Sequence, residues 1–261
     1  MPDEHNPPGG ISTRRVSPTA DSADPAAVND YDSFAEAYAA SNENNLLNAY
    51  YERPAMLALA GDVAGRRILD AGCGAGPLFA ALRDRGAIVT GIDKSAGMLK
   101  LARRRLGDGA DLQQAELGSP LLFPDDTFDD VTASLVLHYL EDWGPALAEL
   151  RRVLKPGGRL IVSVDHPFVT YLVEREADRQ SDYFAIHNYT DEWTVDGQSA
   201  LFSFWARPLH AMTDAFTAAG FQITVISEPE AAPDTPRELL PENFGDKRRF
   251  LCFLFFVLQA G

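Results

Sequence analysis

The chain has 261 residues, 46% of them hydrophobic, and sets 23 Lys and Arg against 38 Asp and Glu for a formal charge of −15. That is enough apolar chain to bury a substantial core, and so acidic a balance repels phosphate backbones and anionic lipid, so neither nucleic acid nor a membrane surface is expected as a partner. Two cysteines, Cys73 and Cys252, make no disulfide framework, and no apolar signal segment opens the chain, so a reducing cytoplasm is the expected setting.

Residues 1–28 hold Pro, Asp, Ser and Asn with almost no large apolar side chains and are expected to be a disordered tail. Residues 29–261 are expected to form the folded domain. Across 29–60, the spacing of Tyr31, Phe34, Ala35 and Tyr38, then of Leu46, Leu47, Tyr50 and Tyr51, is helical and predicts an N-terminal cap with a kink or fresh start at Pro54. A strand at 68–70 then runs into a glycine turn. Helices are predicted over 78–85 and 95–106, strands at 88–92, 112–115 and from 128. A helix opened by Pro145 presents Leu147, Leu150 and Val153 on one face, and a strand follows at 160–164. Strand and helix alternate throughout, the pattern of a doubly wound parallel sheet that binds ligands at the carboxyl ends of its strands.

Residues 166–207 are too long for a simple connection, and they are aromatic: Phe168, Tyr171, Tyr183, Phe184, Tyr189, Trp193, Phe202, Phe204 and Trp205. Strands at 190–195 and 199–205, joined near Asp196-Gly197, are expected inside this insertion. A helix over 209–219, a strand over 222–227 and a strand over 249–258 complete the chain; the last is too short to span a bilayer as a helix.

The turn reads Ile68-Leu69-Asp70-Ala71-Gly72-Cys73-Gly74-Ala75-Gly76-Pro77. Without Cβ atoms, Gly72 and Gly74 let a ligand lie against the backbone amides at the positive end of the next helix. Two features depart from the dinucleotide fingerprint: Pro77 replaces its third glycine, and Asp70 would repel a pyrophosphate. A carboxylate there suits a cofactor bearing an ammonium and a sulfonium.

This stretch resembles motif I of the class I S-adenosylmethionine-dependent methyltransferases, of the methyltransferase type 11 or 25 kind. Gly91-Ile92-Asp93-Lys94-Ser95, Leu112-Gln113-Gln114-Ala115-Glu116-Leu117, Phe128-Asp129-Asp130-Val131 and Leu154-Lys155-Pro156-Gly157-Gly158-Arg159-Leu160 resemble its later strand ends in the same order. The resemblance implies a Rossmann-like seven-stranded α/β sheet, its last strand antiparallel between the fifth and sixth. It further implies S-adenosylmethionine as cofactor, with S-adenosylhomocysteine as product. In that frame Asp93 takes the ribose hydroxyls and Glu116 the adenine amino group. Tyr31, Tyr38, Asp70, Ala71, Gly72, Cys73, Gly74, Lys94, Met98, Leu117, Ser134 and Leu135 complete the expected cofactor site. An insertion at 166–207 implies a lid over the acceptor, with Phe168, Tyr171, Tyr183, Tyr189, Trp193 and Trp205 as its contacts.

His166, His138 and His187 are the candidate bases, each with a plainer alternative. For His166, next to Asp165, that alternative is a strand-end histidine bonded to backbone. No metal is expected. The expected activity is methyl transfer to oxygen or nitrogen of a small organic acceptor, in bacterial specialised metabolism. A catalytically silent cofactor-binding subunit and an NAD-dependent oxidoreductase are the alternatives, and the aromatic surface could instead serve a homodimer.

Overall fold

The computed structural model describes residues 12–16, 28–177, 181–195, 197–241 and 247–261. Seven strands form the main sheet. They are β2 (Arg67–Ala71), β3 (Ile88–Asp93), β4 (Asp111–Gln114), β5 (Phe128–Ser134), β6 (Leu154–Asp165), β9 (Phe221–Ser227) and β10 (Phe253–Ala260), in the order β4-β3-β2-β5-β6-β10-β9. The first five run parallel, whereas β10 lies antiparallel between β6 and β9. This is the architecture expected from the sequence. Near-continuous apolar runs explain the central position of β6 and β10, because strands covered on both faces have no polar side to show. Ile161, Val162, Phe255 and Phe256 have no exposed surface.

Helices α3 (Pro77–Asp84) and α4 (Ala96–Leu106) follow β2 and β3, α5 (Gly144–Val153) precedes β6, and α7 (Leu209–Ala218) precedes β9. One apolar layer holds Leu78, Phe79, Leu82, Leu99 and Phe255, the other Trp143, Leu147, Leu150, Phe216 and Phe256. The N-terminal cap has three parts: α1 (Tyr31–Asn42), a wide π-type turn over Leu46–Glu52, and α2 (Arg53–Ala60), with Pro54 in its first turn where a missing N–H is harmless. Asp30 caps α1 by accepting from the Asp32 and Ser33 amides at 3.1 and 3.2 Å.

Three expectations are corrected. Residues 12–16, placed in the tail, form β1 (Ser12–Val16), which pairs antiparallel with β7 (His187–Val195). This polar strand is held by charge: Arg14 reaches Glu192 at 2.6 Å and Arg15 reaches Asp191 at 2.6 Å. The other residues of that tail up to 27, except 12–16, lie outside the described residues. Second, the insertion contains the hairpin of β7 with β8 (Gln198–Ala206), but it opens with a helix, α6 (Pro167–Glu176), that begins on Pro167 with His166 as its cap. Of the expected joining pair, Gly197 is at φ +78° and Asp196 lies outside the described residues. Third, the last strand starts at Phe253, not at 249.

Phe256 is enclosed by β6, β9 and Phe216, whose ring centroid is 5.1 Å away. Truncating it to alanine is expected to cost about 3–5 kcal/mol in urea unfolding, whereas Leu122→Ala, on a side chain 92% exposed, should stay within about 0.5 kcal/mol.

Candidate functional site

A cavity of about 230 Å³ lies at the carboxyl edge of the parallel strands. Its floor is the turn after β2. Gly72 has φ +78°, and a Cβ there would meet the Val136 side chain at 2.6 Å, so only glycine fits. Gly74 donates its amide to Asp93 Oδ2 at 2.9 Å, and Ser95 donates to Asp93 Oδ1 at 2.8 Å. Each carboxylate oxygen accepts more than one bond, so the Asp93 side chain, fixed from below, keeps capacity toward the cavity. Burial pushes its pKa up.

Asp70, at the end of β2, is 1% exposed. Its Oδ1 accepts from Thr132 Oγ1 at 2.9 Å, but its Oδ2 is buried with no partner among the described residues. Burial first, then the neighbouring Glu52 and Asp93 charges, push Asp70 up to about 7. An acid with one orphaned oxygen is a costly arrangement that a cationic ligand would relieve.

Lys94, Met98, Glu116, Leu117, Ser134 and Leu135 all border the same space, as do Cys73, Tyr31 and Tyr38. Ala71 alone of the expected cofactor residues does not. Leu135 sits at φ +47°, a strained backbone held by its amide bond to Ser163 Oγ at 3.0 Å. Helix α1 roofs the cavity, because Asp32 accepts from Ser95 Oγ at 2.5 Å and from the Gly97 amide at 2.8 Å. Gly97 allows this close approach: a Cβ there would meet the Asp32 backbone at 3.1 Å, tighter than an ordinary contact. Tyr31 and Tyr38 meet edge to face at 5.2 Å, and the Tyr31 hydroxyl bonds that of Tyr139, a residue of the cavity that sequence reasoning missed.

The six expected acceptor contacts do not border this cavity: Tyr189, Trp193 and Trp205 lie on the β7–β8 hairpin, Phe168 and Tyr171 on α6, and Tyr183 between them. Trp193 stacks on Tyr38 at 5.8 Å and, with Tyr189, joins Phe34, Phe202 and Phe204 in a second layer behind the tyrosines. Trp205 faces a small void beside His138, and Tyr171 and Tyr183 line another beneath α6. Phe168 is 45% exposed.

Nor do the three histidines border it. His138 is buried, so its pKa is pushed down, and its Nδ1 accepts from the Asp165 amide at 3.4 Å. His166 Nδ1 caps α6 by accepting from the Phe168 amide at 3.2 Å, while Nε2 bonds Glu228 at 3.0 Å. His187 Nε2 lies 3.0 Å from Glu174. Sequence reasoning also missed Glu52 and Arg53 in the cavity wall. The signal was there: two adjacent charges before Pro54 interrupt an otherwise apolar stretch.

Fold and loop together define a protein that binds a nucleotide-type ligand over a parallel sheet. A family model described as a methyltransferase domain matches residues 69–162. The chain is 29% identical to an uncharacterised protein of Haemophilus influenzae over 80% of this chain and 88% of the other. It is 33% identical to the demethylmenaquinone methyltransferase of Tropheryma whipplei over 58% of this chain and 67% of that enzyme. An S-adenosylmethionine-dependent methyltransferase from Mesorhizobium loti superposes with a TM-score of 0.57 at 26% identity, covering 79% of this chain and 96% of that one. The chain belongs to the class I S-adenosylmethionine-dependent methyltransferases. It is a methyltransferase whose cofactor is S-adenosylmethionine, and the oxidoreductase alternative falls away. The residues fit that group: the orphaned Asp70 oxygen suits its cationic portion, and the Gly72 turn leaves room for it.

Asp70 has a raised pKa, so its neutral form is favoured in the free protein. Its contribution to stability is complete below its ordinary 3.8 and is lost as pH rises to about 7. A cationic ligand needs the charged form. Affinity for S-adenosylhomocysteine, measured by titration calorimetry, is therefore expected to fall as pH drops below about 7, and Asp70→Asn should flatten that fall.

Proposed function

We propose that this methyltransferase acts on oxygen or nitrogen of a small organic acceptor in bacterial specialised metabolism, in the cytoplasm. The observation that carries the reading is the acid-lined cavity under a tyrosine roof. A channel for nucleic acid would need a basic track, and the chain is strongly acidic.

Asp93 takes the two ribose hydroxyls through the oxygens that the Gly74 and Ser95 amides hold still. Glu116 accepts from the adenine amino group, with Leu117, Ala115 and Met98 against the ring. The rings of Tyr31, Tyr38 and Tyr139 exclude water and present faces that attract positive charge. When bound, S-adenosylmethionine supplies a methyl group already activated by its sulfonium. What the chain must add is alignment, worth on the order of 7–11 kcal/mol, against about 10²–10⁴-fold in rate from a positioned base. In this reading the histidines, each bonded to neighbours away from the cavity, take no proton. The aromatics of β7 and β8 are the rigid backing that fixes Tyr31 and Tyr38.

Calorimetry tests the cofactor half. Asp93→Ala is expected to weaken S-adenosylhomocysteine at least 10-fold, whereas His166→Ala should leave that affinity unchanged and lower stability by about 1 kcal/mol through loss of the α6 cap. The acceptor half is tested with isotope-labelled S-adenosylmethionine and a bacterial extract split by size. Label is expected on oxygen or nitrogen in the small-molecule pool. Label only on protein or RNA would contradict the reading, and no transfer despite cofactor binding would favour the silent subunit.

A further inference from the structure

Among the described residues twelve large apolar side chains are exposed, and six of them come from the insertion and the first residue of α7. They are Phe168, Leu172 and Val173 on α6, Phe184 and Ile186 just before β7, and Leu209. Rings join these segments. Phe168 and Tyr171 lie 6.4 Å apart, Tyr171 and Tyr183 5.8 Å, Tyr183 and Phe184 5.2 Å, and Phe184 and His210 6.2 Å, so an aromatic ladder runs over the surface from α6 to α7. Phe184, in the middle of it, is 71% exposed. None of these residues borders the cofactor cavity.

The outward stripe of α6 is apolar where a surface helix is ordinarily polar. Phe168, Leu172 and Arg175 follow one another at helical spacing on that side, whereas Thr170 and Glu174 on the other are buried. Arg175 forms no ion pair among the described residues, and its guanidinium lies 6.0 Å from the Tyr171 ring. Side chains this exposed make a patch on the order of 500 Å², at the upper end of what a lone domain shows. A standard interface takes about 800 Å² from each partner, about 65% of it apolar in homodimers, so the patch matches the apolar area that two identical chains need. With a formal charge of −15, two copies repel each other over most of their surface, but the ring ladder itself carries no carboxylate.

We propose that this face joins two copies of the chain about a two-fold axis, with α6 packed antiparallel on α6 of the second copy. Such an interface is isologous, so the stripe must complement itself. It does so through its two unlike ends. With the axis beside Leu172, the Phe168 end of each helix meets the Arg175 end of the other, which sets a guanidinium on a ring face. Leu172 meets its own copy near the axis, and Phe184 closes over the flank. On its buried side α6 is anchored by Glu174, which holds His187, Ser181 and Arg15, so the helix offers a rigid platform. The contact lies away from the cofactor cavity and does not depend on which acceptor that cavity serves.

Sedimentation equilibrium on the full chain, from about 1 to 100 μM, tests the assignment. At the upper concentration the wild type is expected near twice its chain mass of 28.5 kDa, and its unfolding midpoint should rise with protein concentration. Leu172→Glu sets two carboxylates against each other at the axis and should weaken the pair by about 10-fold or more. Phe184→Ser, which adds no charge, should weaken it too, whereas Leu122→Glu should leave it intact. Mixing Leu172→Glu with Leu172→Lys should restore a pair, as a position that faces its own copy requires. Affinity for S-adenosylhomocysteine should stay within about twofold in every variant, which verifies that each is folded. A wild type that stays at 28.5 kDa throughout would overturn the proposal, and flotation of that monomer with phosphatidylcholine vesicles would give the face to lipid instead. A pair that survives both Leu172→Glu and Phe184→Ser would overturn it as well, moving the contact to another surface such as the β9 edge, where Val225 and Ile226 are exposed.

Discussion

The structure turns on carboxylates held out of water at the carboxyl edge of a parallel sheet. Asp70 is the extreme case, buried with one oxygen satisfied by Thr132 and the other by nothing. Asp93 and Glu52 share its surroundings; burial pushes all three toward the neutral form, and at Asp70 the Glu52 and Asp93 charges add to it. Such a cluster is unfavourable for folding by itself. In the proposed reading, the cofactor of this family brings positive charge and hydroxyl donors to the same place.

The rest of the fold keeps that cluster dry and rigid. The Asp32 carboxylate ties α1 to the start of α4, which places Tyr31 and Tyr38 over the cavity. Behind them the β7–β8 hairpin supplies Trp193, Phe202 and Phe204 as a solid aromatic backing, and β1 pins the hairpin's free edge through Arg14 and Arg15. The insertion therefore serves the site at one remove. Its helix α6 is tied in by Glu174, which takes His187, Ser181 and Arg15 together.

Much of this was legible in the chain because the decisive requirements are local. Gly72 is dictated by its own backbone angle and by contact with Val136. Asp93 and Glu116 follow from their places after successive strands, and the alternation of strand and helix fixes those places. The surroundings of the histidines could not be read from the chain because they are set by residues outside the local segment: Glu228 for His166, Glu174 for His187, the Asp165 backbone for His138. Aromatic content suggested a pocket lining, yet it cannot say which side of a hairpin faces the ligand. The adjacent charges of Glu52 and Arg53 were visible in the chain, but not where they end up. Their segment precedes the glycine loop in sequence, and only folding brings it across β5 and β6. The strand β1 escaped notice because its stability comes from ion pairs rather than from apolar alternation.

The most direct test of the account is a crystal structure of the chain with S-adenosylhomocysteine. It should show the ribose hydroxyls on Asp93, the sulfur beneath the Tyr31 and Tyr139 rings, and a cationic group of the ligand within hydrogen-bond reach of Asp70 Oδ2. A ligand bound away from the Gly72 turn, or one that leaves Asp70 Oδ2 as solitary as before, would contradict the claim that the buried carboxylates exist to meet it.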